Sequence, residues 1–78
     1  MPTLLRIEGF RFFFFSNEGT EPAHVHLERG DGYAKFWLEP VELSMADGLT
    51  RRELRRAREL TEEHATEFLR RWHEYFAS

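Results

Sequence analysis

From Thr3 to about Ser44, apolar and polar side chains alternate with a period of two, and beyond Gly48 they recur every three to four residues. The first period belongs to extended strands and the second to an α-helix. Strands are expected at 3–7, 10–15, 23–28 and 33–38, with a short fifth at 41–44. The stretches SNEGTEP and RGDG supply turns between them. Connections this short suit antiparallel neighbours, because parallel strands need a crossover of about a dozen residues or more. The pattern predicts an α+β domain in which a curved antiparallel sheet of about four strands packs on one long or broken C-terminal helix.

The helix opens on Thr50-Arg51-Arg52-Glu53, a capping box in which Thr50 and Glu53 satisfy each other's free backbone N–H groups. From there Leu54, Ala57, Thr61, His64, Ala65, Phe68, Trp72, Tyr75 and Phe76 hold one phase at about 100° per residue and form a single apolar stripe. A helix over 51–76 would be about 39 Å long, whereas strands of about 20 Å lie beneath it. A break is therefore expected near 61–66, where two threonines and Glu62-Glu63-His64 lower helix propensity. The alternative is an overhang onto a partner.

Alternation sorts the sheet into two faces. Leu5, Ile7, Phe12, Phe14, Val25, Leu27, Ala34, Phe36 and Leu38 form the face that should meet the helix. The opposite face carries Arg6, Arg11, Phe13, Phe15, His24, His26, Glu28, Tyr33, Lys35, Trp37 and Glu39. Aromatic rings mixed with charges need a cover, and a large uncovered apolar patch marks an interface. Arg11, Phe13, Phe15, Glu28, Tyr33, Lys35 and Trp37 are thus candidate contact residues, and a homodimer would cover Phe13, Phe15 and Trp37.

Composition narrows the chemistry. Seventy-eight residues suit one domain, 1–78, with a β half at 1–45 and a helical half at 50–77. Without cysteine there is no disulfide framework, and any metal needs histidine and carboxylate ligands. No apolar run approaches a membrane span and the start does not read as a signal peptide, so a cytoplasmic protein is expected. The net charge of −3 argues against nucleic-acid binding through bulk charge and leaves local patches to consider.

Two anomalies carry the candidate chemistry. His24 and His26 sit two apart on one strand, about 6.6 Å apart at the backbone. They could hold a metal with a third ligand from the preceding loop, where Glu18 and Glu21 are candidates, since Glu28 lies too far along the strand. They could serve as acid and base on a phosphodiester, with Lys35, Arg11 or Arg6 stabilising the phosphate. They could also be part of a binding surface, which two histidines without visible companions favour. No cofactor is expected, a divalent metal being the one addition the pair would accommodate. The second anomaly is RRELRRAR, residues 51–58, where Arg51, Arg52, Arg55 and Arg56 crowd the end of a helix whose dipole prefers anions. An acidic partner or a nucleic-acid backbone would explain them, as would a solvated face neutralised by Glu53, Glu59, Glu62, Glu42 and Asp47. His64 and Trp72 fall within the stripe as core residues, and His73 should be exposed.

Met1-Pro2-Thr3, Gly9, EPAHVHLE, GYAKFWLE, the arginine-rich helix start and HATEFLRRW together resemble the bacterial family called domain of unknown function 4160. The family's Pro-x-His-x-His element falls on Pro22, His24 and His26. Its His-x-x-Glu-Leu run followed by Trp falls on His64, Glu67, Phe68 and Trp72, with phenylalanine in place of leucine. Glu21 stands where many members carry a further proline. The resemblance implies a small protein encoded beside another small domain, in an arrangement like a toxin–antitoxin operon, and no chemistry assigned to particular residues. The expected function is action through a small partner protein. The alternatives are an RNA-cleaving or metal-dependent enzyme using His24 and His26, and nucleic-acid binding through the helix start.

Overall fold

The computed structural model describes residues 3–77, so Met1 and Pro2 of the opening motif and Ser78 lie outside the described part. Strands β1 (Thr3–Ile7), β2 (Phe10–Phe13), β3 (His24–Arg29), β4 (Gly32–Leu38) and β5 (Val41–Asp47) precede helix α1 (Arg51–Phe76). The strands pair antiparallel in the order β1-β2-β3-β4-β5, a meander built from short connections. Glu8 and Gly9, at φ 54° and 83°, link β1 to β2. Positive φ at both central residues gives a twist that matches the flanking strands, and Arg29 steadies the turn by donating to the Glu8 carbonyl.

The α+β class and the antiparallel sheet agree with the periodicity, but the sheet has five strands rather than about four. β5 is a full strand of seven residues. Lys35 pairs with Met45 and Phe36 with Leu43, leaving Ser44 as an extra residue between them. Such a bulge moves the side-chain pattern by one position. β2 ends at Phe13, two residues short of the expected boundary. Phe14 leaves the ladder and enters the core, with its ring 5.1 Å from Trp72 and 6.0 Å from Phe76.

The expected break at 61–66 does not occur, and α1 is one continuous helix of 26 residues. Thr61 is buried, and its hydroxyl donates to the Ala57 carbonyl one turn back, so a residue of weak propensity leaves no polar group unsatisfied. The length mismatch is resolved at the other end, where the chain between β2 and β3 extends the bed beneath the helix. Phe14 meets Trp72 and Phe76, and Gly19 lies so close to Phe76 that an added Cβ would come within 2.7 Å of its ring. The capping box at Thr50 and Glu53 is present as expected.

The core sits between α1 and the inner sheet face. Phe12, Phe14, Val25, Leu27, Ala34 and Phe36 are wholly excluded from solvent, and Ala57, Leu60, Phe68 and Trp72 of the helix are buried against them. Each large apolar side chain buried there contributes roughly 1.5–3 kcal/mol relative to an exposed one. Leu60 joins the helix stripe, whereas Tyr75 at its end is exposed. Because Trp72 closes the junction of helix, loop and sheet, Trp72→Ala should cost about 3–5 kcal/mol in urea unfolding. Loss of the cap in Thr50→Ala should cost only about 1 kcal/mol. Equal losses for the two variants would contradict this account of the junction.

Candidate functional site

His24 and His26 point to the sheet face away from the main core, yet both are buried, at 0% and 2% exposure. That outer face was expected to be open, but the chain covers it with its own loop between β2 and β3. Phe15 sets its ring 4.5 Å from His26, Glu18 reaches down between the histidines, and Glu21 pairs with Lys35 at 3.0 Å. Phe13 is buried against His26, with their rings stacked at 5.5 Å. A second copy is therefore not needed to shield Phe13.

One carboxylate oxygen organises the cluster. Glu18 Oε1 lies 2.8 Å from His24 Nε2 and 2.7 Å from His26 Nε2. The outer nitrogens are also engaged: His24 Nδ1 lies 2.9 Å from the Pro22 carbonyl and His26 Nδ1 lies 2.7 Å from the Tyr33 hydroxyl. A carbonyl only accepts, so His24 carries a proton on Nδ1 and donates it to Pro22. Tyr33 can donate to His26 or accept from it. Trp37 and Trp72 flank His24 at 5.5 and 4.9 Å between ring centroids, enclosing the cluster in aromatic walls.

Electrostatics follow from this enclosure. Burial pushes the His26 imidazole below its ordinary value of 6.5, and the hydrogen bond and charge of Glu18, acting the other way, do not offset it. For Glu18, burial pushes the carboxyl up, but hydrogen bonds from His26 and His24 outweigh it and hold the group below 4.5. At neutral pH the site thus contains an ionised Glu18 and a neutral His26. Both nitrogens of each ring are thus engaged, and both rings are covered.

The remaining candidate residues divide into three groups. Arg11 pairs with Glu28 at 3.0 Å, donates to Thr3 and lies over the Phe13 ring, while Lys35 lies 4.5 Å from the Trp37 ring centre. These residues brace the outer face around the cluster. Arg56 is fastened through both Glu8 carboxylate oxygens at 2.8 and 2.6 Å and also reaches Glu59 and Glu63, so it ties the β1–β2 turn to the helix. Arg52 lies near this clamp, beside Phe10 and Arg29. Arg51 and Arg55 instead join Arg58 on one side of the helix, spaced four and three residues apart, and make no ion pair among the described residues. They rim a groove of about 310 Å³ whose apolar lining is Phe36, Leu43 and Leu54. Arg58 and Leu43 were not among the expected contact residues. The helical spacing of 51, 55 and 58 was visible in the sequence, and Leu43 keeps the regular hairpin register opposite Phe36.

The family model for Domain of unknown function (DUF4160) matches residues 9–73. The chain belongs to this family. No curated protein and no solved structure matches it. The part of the chain that matches the DUF4160 model includes Glu18, His24 and His26, the arginines at the helix start, and Trp72, so cluster and groove both lie within it. No helix is long and apolar enough to cross a membrane among the described residues.

The pH response follows from the two shifted groups. A group whose folded pKa is depressed stabilises the fold above its unfolded pKa, and that contribution is lost as pH falls through the folded value. The denaturant midpoint of this DUF4160 protein should therefore fall on acidification, first below 6.5 through His26 and then below 4.5 through Glu18. A midpoint that stays constant or rises across both windows would contradict the assignment.

Proposed function

We propose that this DUF4160 protein acts by binding a partner protein, seating an acidic, apolar-anchored segment of that partner in the groove between β5 and the start of α1. The observation that carries this reading is the set of three arginines without ion pairs among the described residues, Arg51, Arg55 and Arg58, beside an apolar groove on a chain of net charge −3. Glu53 and Glu59, the acids nearest in sequence, are occupied by Arg29 and Arg56. Like charges collected on one helix side are mutually repulsive, and an acidic ligand relieves that repulsion. The apolar floor favours a protein segment over a phosphate backbone, which would use the charges and leave the floor empty.

The edge of the sheet extends the surface. β5 pairs only with β4, and its Leu43 and Met45 are exposed at 38% and 56%. An extended segment lying along this edge would find unpaired backbone groups and an apolar anchor point together. The toxin–antitoxin-like arrangement implied by the sequence resemblance would supply a partner of this kind, encoded next to the chain.

The test is a binding titration with the purified product of the adjacent gene, with duplex DNA and the chain alone as parallel samples. Arg55→Glu should weaken partner binding at least about tenfold, or about 1.4 kcal/mol, with the fold intact by circular dichroism. Partner binding unchanged in Arg55→Glu and in Arg51→Glu/Arg58→Glu would contradict the proposal. So would steeply salt-dependent DNA binding in its place, or self-association through the same residues.

A further inference from the structure

We propose that Glu18, His24 and His26 form a binding site for one divalent transition-metal ion, zinc above all, held by Glu18 Oε1 and the two Nε2 atoms. The three ligand atoms converge within 4.8 Å of one another, and the carboxylate oxygen stands 2.8 and 2.7 Å from the nitrogens. Bonds of about 2.0–2.1 Å at tetrahedral angles place neighbouring ligand atoms roughly 3.3 Å apart. Reaching that spacing lengthens each Glu18 oxygen-to-nitrogen distance by roughly half an ångström.

His24 turns Nδ1 to the Pro22 carbonyl and presents Nε2 to the Glu18 oxygen at 2.8 Å. The surroundings match those of a metal centre. Ligating histidines hold their second nitrogen against a carbonyl, carboxylate or water, which fixes the ring and its tautomer. The Pro22 carbonyl does this for His24, and the Tyr33 hydroxyl can accept from His26 Nδ1 in the same way.

The donor set selects the ion. Two imidazole nitrogens with one carboxylate suit zinc or ferrous iron, whereas magnesium and calcium prefer oxygen ligands. Three protein ligands leave one position for water in a setting walled by aromatic rings, so the ion's effect would be to fasten the loop between β2 and β3 onto the sheet. This inference is independent of the partner reading, because the cluster and the arginine groove share no residue.

The test is a calorimetric zinc titration of the full chain after chelator treatment, with magnesium as control and cobalt(II) as a spectroscopic probe. The expected result is one equivalent of zinc at micromolar or tighter affinity, a melting temperature raised by several degrees, and visible cobalt bands of a four-coordinate site. Glu18→Gln should abolish stoichiometric binding. Tyr33→Phe, which keeps the ring beside His26 and removes its hydroxyl, should weaken zinc binding about tenfold and remains informative if Glu18→Gln does not fold. Zinc binding no stronger than that of magnesium would overturn the proposal, as would absence of the cobalt bands. Unchanged affinity in Tyr33→Phe, or binding lost instead in His73→Ala, would do the same.

Discussion

The Glu18 carboxylate, held between two buried histidines, is the contact on which the arrangement of this chain depends. It brings the segment between β2 and β3 down onto the outer sheet face, and the same segment supplies Phe14 and Gly19 to the far end of α1. A carboxylate removed from water is costly unless its oxygens are satisfied. Here one oxygen meets two ring nitrogens, and no described buried side-chain polar atom lacks a hydrogen-bond partner. Removing the carboxylate would leave His24 and His26 enclosed by aromatic rings without their common acceptor, the situation in which a buried polar group becomes most destabilising.

Charge elsewhere is divided between fastening and display. Arg56 spends its guanidinium on Glu8, Glu59 and Glu63, and Arg29 spends its own on Glu53 and the Glu8 carbonyl, so the first hairpin is tied to the helix start. These pairs are exposed, and their individual contributions to stability are small. Arg51, Arg55 and Arg58 have no such engagement among the described residues and stand beside the apolar groove. A run that appears uniform in sequence thus separates into an internal clamp and an unpaired set beside an apolar groove among the described residues. The buried cluster and the arginine groove are chemically distinct and share no residue.

The sheet and the helix cap were legible because their causes are local. Two-residue alternation located β1, β3 and β4 to within about a residue, and Thr50 with Glu53 marked the helix start. β5 was read only to Ser44, whereas it runs to Asp47, with the bulge at Ser44 changing which face Met45 and Ala46 take. Helix continuity was missed because the expected break rested on propensity and on strand length alone. Neither accounts for a loop that prolongs the sheet beneath Trp72 and Phe76. Glu18 was one of two loop acids offered as a companion to His24 and His26, and only the fold brings it rather than Glu21 to both rings, Lys35 engaging Glu21 instead. Burial of the outer face was hidden for the same reason: alternation shows which side chains share a face and says nothing of which segment covers it.

The most direct measurement of the central contact is a double-mutant cycle in denaturant unfolding that combines Glu18→Ala with His26→Ala. If Glu18 holds the loop through the histidines, the two losses should be strongly non-additive, with a coupling of at least about 1 kcal/mol. Additive losses, with coupling near zero, would mean that the loop is held by Phe14, Phe15 and Gly19 alone and that the carboxylate is not its anchor.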